Sequence, residues 1–167
     1  YVPSPKSIYK DIHKLLPGHW MMVEDGQIRV ERYWDLPDQG TLLPKDEFLF
    51  QANEILESSI ELRSRSDVPV GCMLSGGLDS SALTGLFCSR SKTPVHTFSL
   101  DFEGKEFSEG AYAQVVADRY HTIHHPSVMS SKVGISLLRD LVPFMDEPMA
   151  DSAIIPSYYI AKKAREN

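Results

Sequence analysis

Short apolar runs alternating with helix-patterned stretches predict an α/β fold for this chain, an open parallel sheet with helices on both faces, preceded by a hairpin and linker. Three observations carry that expectation. The apolar run at 68–74 turns through Ser75-Gly76-Gly77 straight into a helical stretch starting near Asp79 or Ser80. A second strand-like run, residues 94–100, comes after that helix, and a third, residues 121–126, comes after another helical stretch. Parallel strands joined through helices cross over right-handedly, and open sheets of this kind bind ligands beyond their carboxyl ends. Leu74 and Leu100, at the ends of the first two strands, are therefore expected close together there.

The turn at 75–77 is where chemistry concentrates. Two adjacent glycines let the backbone bend tightly and let a ligand approach with no Cβ in the way. The first turn of the next helix presents unpaired N–H groups and the positive end of its dipole, which together form an anion site. Ser75, Ser80 and Ser81 add hydroxyls, so a phosphate or pyrophosphate can be held without a lysine. Asp79 is out of place beside a phosphate unless a divalent cation lies between them, which points to Mg2+. The plainer alternative is a turn that only joins strand to helix, with Asp79 or Ser80 as an ordinary cap. Neither GxxxxGK[ST] nor GxGxxG occurs, so the Walker and dinucleotide fingerprints are absent. The stretch Ser-Gly-Gly-Leu-Asp-Ser-Ser after an apolar strand resembles the pyrophosphate-binding loop of the ATP pyrophosphatases. That superfamily, with asparagine, GMP and NAD synthetases among its members, splits ATP into AMP and pyrophosphate while adenylating a substrate.

The chain has 167 residues, 42% hydrophobic and 24% charged, as in ordinary globular domains. A net charge of −6 argues against broad nucleic-acid binding but not against a local anion pocket built from backbone dipoles. No apolar run approaches eighteen residues and no signal-peptide pattern opens the sequence, so no membrane span and a cytoplasmic location are expected. Cys72 and Cys88 lack CxxC spacing and are expected to be reduced.

Residues 1–40 read as a linker with one hairpin, 19–24 and 27–33 around Asp25-Gly26, and residues 41–167 as the domain. Residues 45–66 carry Phe48, Leu49, Ala52, Ile55, Leu56 and Leu62 at helical spacing, an amphipathic helix. In the helix at 80–90, Leu83, Leu86 and Phe87 are expected to point inward, and 101–104 to be a loop. Residues 107–120 predict another helix, capped by Ser108, and residues 132–141 a further one before Pro143. His121, His124 and His125 suggest metal ligands, but a strand sends 124 and 125 to opposite faces, and no Cys or acid is spaced to close such a site. Asp146, Glu147 and Asp151 lie within six residues, just ahead of a helix opened by Pro156. They can hold magnesium or orient a substrate amine; on spacing alone they read as helix-start acids.

The Asp146-Glu147-Pro148, Asp151-Ser152 and Ile155-Pro156 segment, with Leu16-Pro-Gly-His-Trp20 and Arg32-Tyr-Trp-Asp-Leu36, resembles the glutamine-dependent asparagine synthetase family. That resemblance implies ATP and Mg2+ as cofactors, and aspartate and ammonia from glutamine as substrates. It implies nucleotide contacts at Leu74, Ser75, Gly76, Gly77, Asp79, Ser80, Ser81 and Leu100, with Asp79 toward the metal. It makes residues 1–40 the end of a glutaminase domain and its connector, and 41–167 the first part of the synthetase domain. Tyr1 is not the N-terminal cysteine that enzymes of this family use to hydrolyse glutamine, and the family's Ser-Gly-(Asp/Glu)-Gly-x-Asp-Glu loop does not occur. The chain is thus expected to be a fragment of a longer enzyme, inactive alone and lacking its glutaminase domain. Two alternatives stay open: another adenylating ligase such as a β-lactam synthetase, and a nucleotide-binding module without turnover. A sheet edge left unpaired suggests self-association, for example a homodimer.

Overall fold

Asp25 and Gly26 both adopt positive φ, 48° and 74°, which is what a two-residue turn matched to the twist of a hairpin needs. In this computed structural model, which describes residues 1–37, 40, 42–104 and 109–167, that turn joins β1 (His19–Glu24) to β2 (Gln27–Arg32). The two strands pair antiparallel with Glu24 opposite Gln27, as the turn predicts. The return strand stops at Arg32 because the N–H groups of Tyr33 and Trp34 both donate to Gly18 O, at 2.8 and 3.2 Å. The hairpin belongs to a unit made of Tyr1–Leu43 and Met145–Ala150. Within it, Lys14 Nζ lies 2.6 Å from a Glu147 carboxylate oxygen and donates to Val2 O at 2.9 Å.

The second unit is Pro44–Phe144 with Asp151–Asn167. It runs α1 (Lys45–Arg63), β3 (Gly71–Met73), α2 (Leu78–Arg90), β4 (His96–Phe102), α3 (Gly110–Tyr120), β5 (Ile123–Met129), α4 (Ser131–Leu141), a 3-10 turn at Val142–Phe144 and α5 (Ile154–Glu166). The three strands form one parallel sheet, ordered β3-β4-β5, as the alternation of strands and helices predicts. The chain is therefore mixed α/β with a parallel sheet flanked by helices.

Several element ends move, each because a strand is defined by its partner. β4 begins at His96, opposite Gly71, so residues 68–70 of the expected first strand have no ladder to join. Leu74 N–H adds one more bond, to Phe98 O at 2.8 Å. Asp101 and Phe102, expected in a loop, pair instead with Val128 and Met129, and the third strand extends past Pro126 to Met129. Pro126 is tolerated because β5 is an edge strand. Residues 107 and 108, including the expected cap Ser108, lie outside the described residues. α4 starts one residue early, its N–H at Val133 donating to the Ser130 cap.

The helices also differ from their sequence pattern. α1 buries none of its residues, and Phe48, Leu49, Ile55, Leu56 and Leu62 stay exposed. Ion pairs from Arg90 to Glu57 (2.8 Å) and Glu61 (3.4 Å) hold it to α2, and the hydrogen bond from Arg90 lowers the Glu57 pKa. In α2 the inward face is Thr84 and Gly85, while Leu83 is exposed. Gly85 makes room for a neighbour there: a Cβ would sit 2.6 Å from Tyr120 Oη. Apolar residues buried in this unit include Leu74, Val95, Phe98, Ala113, Ala117, Met129, Leu137, Leu141 and Ile160. Among the described residues, no helix is long and apolar enough to cross a membrane.

One face of β4 and β5 carries a polar layer. Thr97 Oγ1 hydrogen-bonds Thr122 Oγ1 at 2.8 Å and His124 Nδ1 at 2.9 Å, and Ser99 Oγ meets His124 Nε2 at 3.1 Å. His125 faces the other way, stacked between Phe98 and His96. Burial, aided by the neighbouring His125, pushes the His124 pKa below its ordinary 6.5. The unfolded chain therefore binds more protons here than the folded one below that pH, and stability present above pH 6.5 is lost as pH falls. In urea titrations from pH 7 to pH 5, His124→Gln should flatten part of the wild-type decline in the unfolding midpoint.

Candidate functional site

The loop between β3 and α2 owes its shape to one glycine and two serines. Gly76 has φ +80°, and a Cβ placed on it would lie 2.5 Å from Tyr112 Cβ, 2.6 Å from Ala113 N and 2.7 Å from Tyr112 C. The start of α3 thus presses on the loop so closely that only glycine fits, and the handedness alone would penalise any other residue. Gly77, extended at φ −69° and ψ 162°, is the N-cap of α2 and receives no side-chain cap bond. The first bond of the helix runs from Ser81 N–H to Gly77 O at 3.0 Å. The N–H groups of Leu78, Asp79 and Ser80 therefore have no acceptor within the helix, and the dipole adds partial positive charge at the same place.

The serines contribute differently from one another. Ser80 Oγ donates to Gly77 O at 3.2 Å and accepts the Ser75 N–H at 3.3 Å. The two hydroxyls also lie 3.0 Å apart, a hydrogen bond that either can donate, and the Ser75 oxygen accepts the Gly77 N–H at 3.3 Å. In this conformation Ser75 and Ser80 therefore brace the loop, while the Ser81 hydroxyl makes no hydrogen bond to any described residue.

Leu74 and Leu100 take unlike positions. Leu74 is 1% exposed and packs with Ala113 and Ala117. Leu100 is half-buried on β4, opposite Ser127. Asp79 is exposed in the first turn of α2. One exposed carboxylate beside free amides suits Mg2+, which takes one or two protein carboxylates together with substrate phosphates. Among the described residues, no three His, Cys, Asp or Glu side chains converge on a metal position.

The second sequence cluster divides. Asp151 Oδ1 accepts the Ala153 N–H at 2.9 Å, and its carbonyl accepts Ile154 N–H at 3.3 Å, so it acts at the start of α5 as the helix-start reading expects. Glu147 is held by Lys14, and Asp146 is exposed. Cys72 and Cys88 are both free thiols, their pKa values raised by burial. The contact the sequence did not reveal is that of Tyr112 and Ala113 with Gly76; no local pattern signals a pairing between residues so far apart in the chain.

The asparagine synthase family model matches residues 51–167. The chain belongs to the asparagine synthase family. It is 36% identical over 171 residues to a putative glutamine-hydrolysing asparagine synthetase 2 of Methanocaldococcus jannaschii, covering 99% of this chain and 33% of the relative. Glutamine-hydrolysing asparagine synthetase 1 of Bacillus subtilis is 30% identical over 168 residues, covering 100% of this chain and 26% of the relative. Amidase chry2 of Gibberella zeae is 26% identical over 164 residues, 87% of this chain and 24% of the relative. The chain thus spans about a third or less of the length of these curated relatives. The asparagine synthase match begins inside α1 and includes the whole 75–81 loop.

Gly76→Ala should destabilise this domain by about 2–4 kcal/mol, from overpacking against α3 together with the positive φ. Chemical denaturation is the check, with Gly104→Ala in the same unit, at φ +79° and with no atom within 4 Å of a Cβ, isolating the cost of φ alone.

Proposed function

We propose that this chain is the nucleotide-binding part of an ATP-dependent amidoligase that converts aspartate to asparagine. The observation that carries the proposal is the α2 start, where three amides without helical acceptors stand beside Asp79 on a turn fixed by Gly76. Membership of the asparagine synthase family supports the same reading.

In this reading the Leu78, Asp79 and Ser80 amides and the Ser81 hydroxyl bind the polyphosphate of ATP. The main chain of Leu74 and the half-buried Leu100 flank the adenine. Asp79 would hold Mg2+, whose charge offsets that of the phosphates. The aspartate side-chain carboxylate attacks the α-phosphate, forming an acyl-phosphate bond to AMP as the bond to pyrophosphate breaks. Ammonia, released from glutamine by a glutaminase domain of the full-length protein, then adds to the acyl carbon and AMP leaves with its electron pair. The amides matter most in the first step, because negative charge grows on the departing pyrophosphate and donors already in place stabilise it without reorganising. Free Cys72 and Cys88 suit a reducing, cytoplasmic location.

The test is aspartate-dependent exchange of labelled pyrophosphate into ATP by the full-length protein. Asp79→Asn should lower the exchange rate at least tenfold with the melting temperature unchanged. Undiminished exchange in that variant, or wild-type exchange that another carboxylic acid supports and aspartate does not, overturns the assignment of site or of substrate respectively.

A further inference from the structure

We infer that Tyr112 is a polyphosphate-contacting residue of this site, its phenol hydroxyl donating a hydrogen bond to a phosphate oxygen of bound ATP. The inference rests on the phosphate-cradle reading of residues 75–81 and adds to it a donor from a different element. Its anchor is geometric: Tyr112 Cβ and main chain lie against the loop at Gly76, within 2.5 to 2.7 Å of where a Cβ there would be.

Direction comes from the helix. Tyr112 sits in the first turn of α3, whose opening amide, Gly110 N–H, donates at 3.3 Å to Asp101 Oδ1 near the carboxyl end of β4. That end of the helix is therefore at the carboxyl end of the sheet, where the loop also lies. Helical side chains lean toward the helix N-terminus, so the phenol leans toward the ligand-binding end of the sheet and away from the core. Consistent with that, Tyr112 is 68% exposed although its Cβ touches the loop. Its hydroxyl makes no hydrogen bond to any described residue.

Need comes from the hydroxyl inventory. No lysine lies between Val68 and Arg90 to approach the phosphates, and the Ser75 and Ser80 hydroxyls are hydrogen-bonded to each other inside the loop. A neutral O–H reaching in from α3 supplies a donor without adding another charge beside Asp79. A tyrosine exposed elsewhere on a helix calls for no explanation; this one is anchored on the loop's own glycine.

The experiment measures binding of magnesium pyrophosphate and of AMP, separately, to the full-length protein by calorimetry, for wild type, Tyr112→Phe and Asp79→Asn. Tyr112→Phe keeps the ring and removes only the hydroxyl. Loss of one hydrogen bond to a charged group should weaken pyrophosphate binding about tenfold, with AMP affinity and melting temperature unchanged. Equal pyrophosphate affinity in wild type and Tyr112→Phe overturns the inference. If Asp79→Asn weakens pyrophosphate in the same series, the cradle stands and only the tyrosine is withdrawn. A wild-type protein that binds no pyrophosphate removes the cradle, and the role of Tyr112 with it.

Discussion

The close approach of α3 to the loop after β3 is the constraint on which the rest of the site depends. At Gly76 the main chain must take a left-handed turn while the first turn of a second helix lies in van der Waals contact with it. Either demand alone could be met by rearrangement, but together they admit one residue type. That fixed point also aims the chain. Beyond Gly76 the backbone is extended at Gly77, so α2 starts with three amides exposed rather than folded back on a capping side chain.

The same glycine links the site to the core. Leu74, immediately before the loop, is buried against Ala113 and Ala117, one face of the helix whose first turn abuts Gly76. Small residues on α3 let it come near enough to do both. Interior packing and loop shape are therefore not separable here: the alanines that allow a dense interior also set the distance between α3 and the loop. Gly85, midway along α2, makes room for the Tyr120 hydroxyl at the far end of α3, so glycines admit α3 both at its first turn and at its last residue.

What the sequence disclosed and what it withheld divide along the range of the interactions. The Asp25-Gly26 hairpin was legible because its turn chemistry is contained in two residues. The strand–glycine–helix junction was legible for the same reason, and the three parallel strands could be inferred from alternation. Strand ends were not legible, because Phe102 and Met129 extend their strands only by pairing with each other. The helical period of α1 was visible, yet the apolar stripe lies open, since periodicity gives a face and not the partner that covers it. Hydroxyls counted as ligand donors turned out to be partly engaged in the loop, because Ser75 and Ser80 sit five apart across a turn whose closure no local rule predicts. Glu147, read as one of three clustered acids, answers to Lys14, far away in the sequence.

The electrostatic setting shows why an acidic chain need not repel a phosphate. Net charge of −6 acts through solvent, where ions screen it over about 8 Å at physiological salt. The amides at the start of α2 act at hydrogen-bond distance, where screening ions and water are displaced by the ligand itself. Charges far from the loop therefore influence how fast an anion arrives more than how firmly it is held. Asp79 is the exception, because it lies within the same first turn as those amides. Its carboxylate is favoured there by the helix dipole when no ligand is bound, and it opposes a phosphate directly when one enters. In the proposed reading the two effects are reconciled by a cation that both anions share, and phosphate binding at this loop would then be conditional on magnesium.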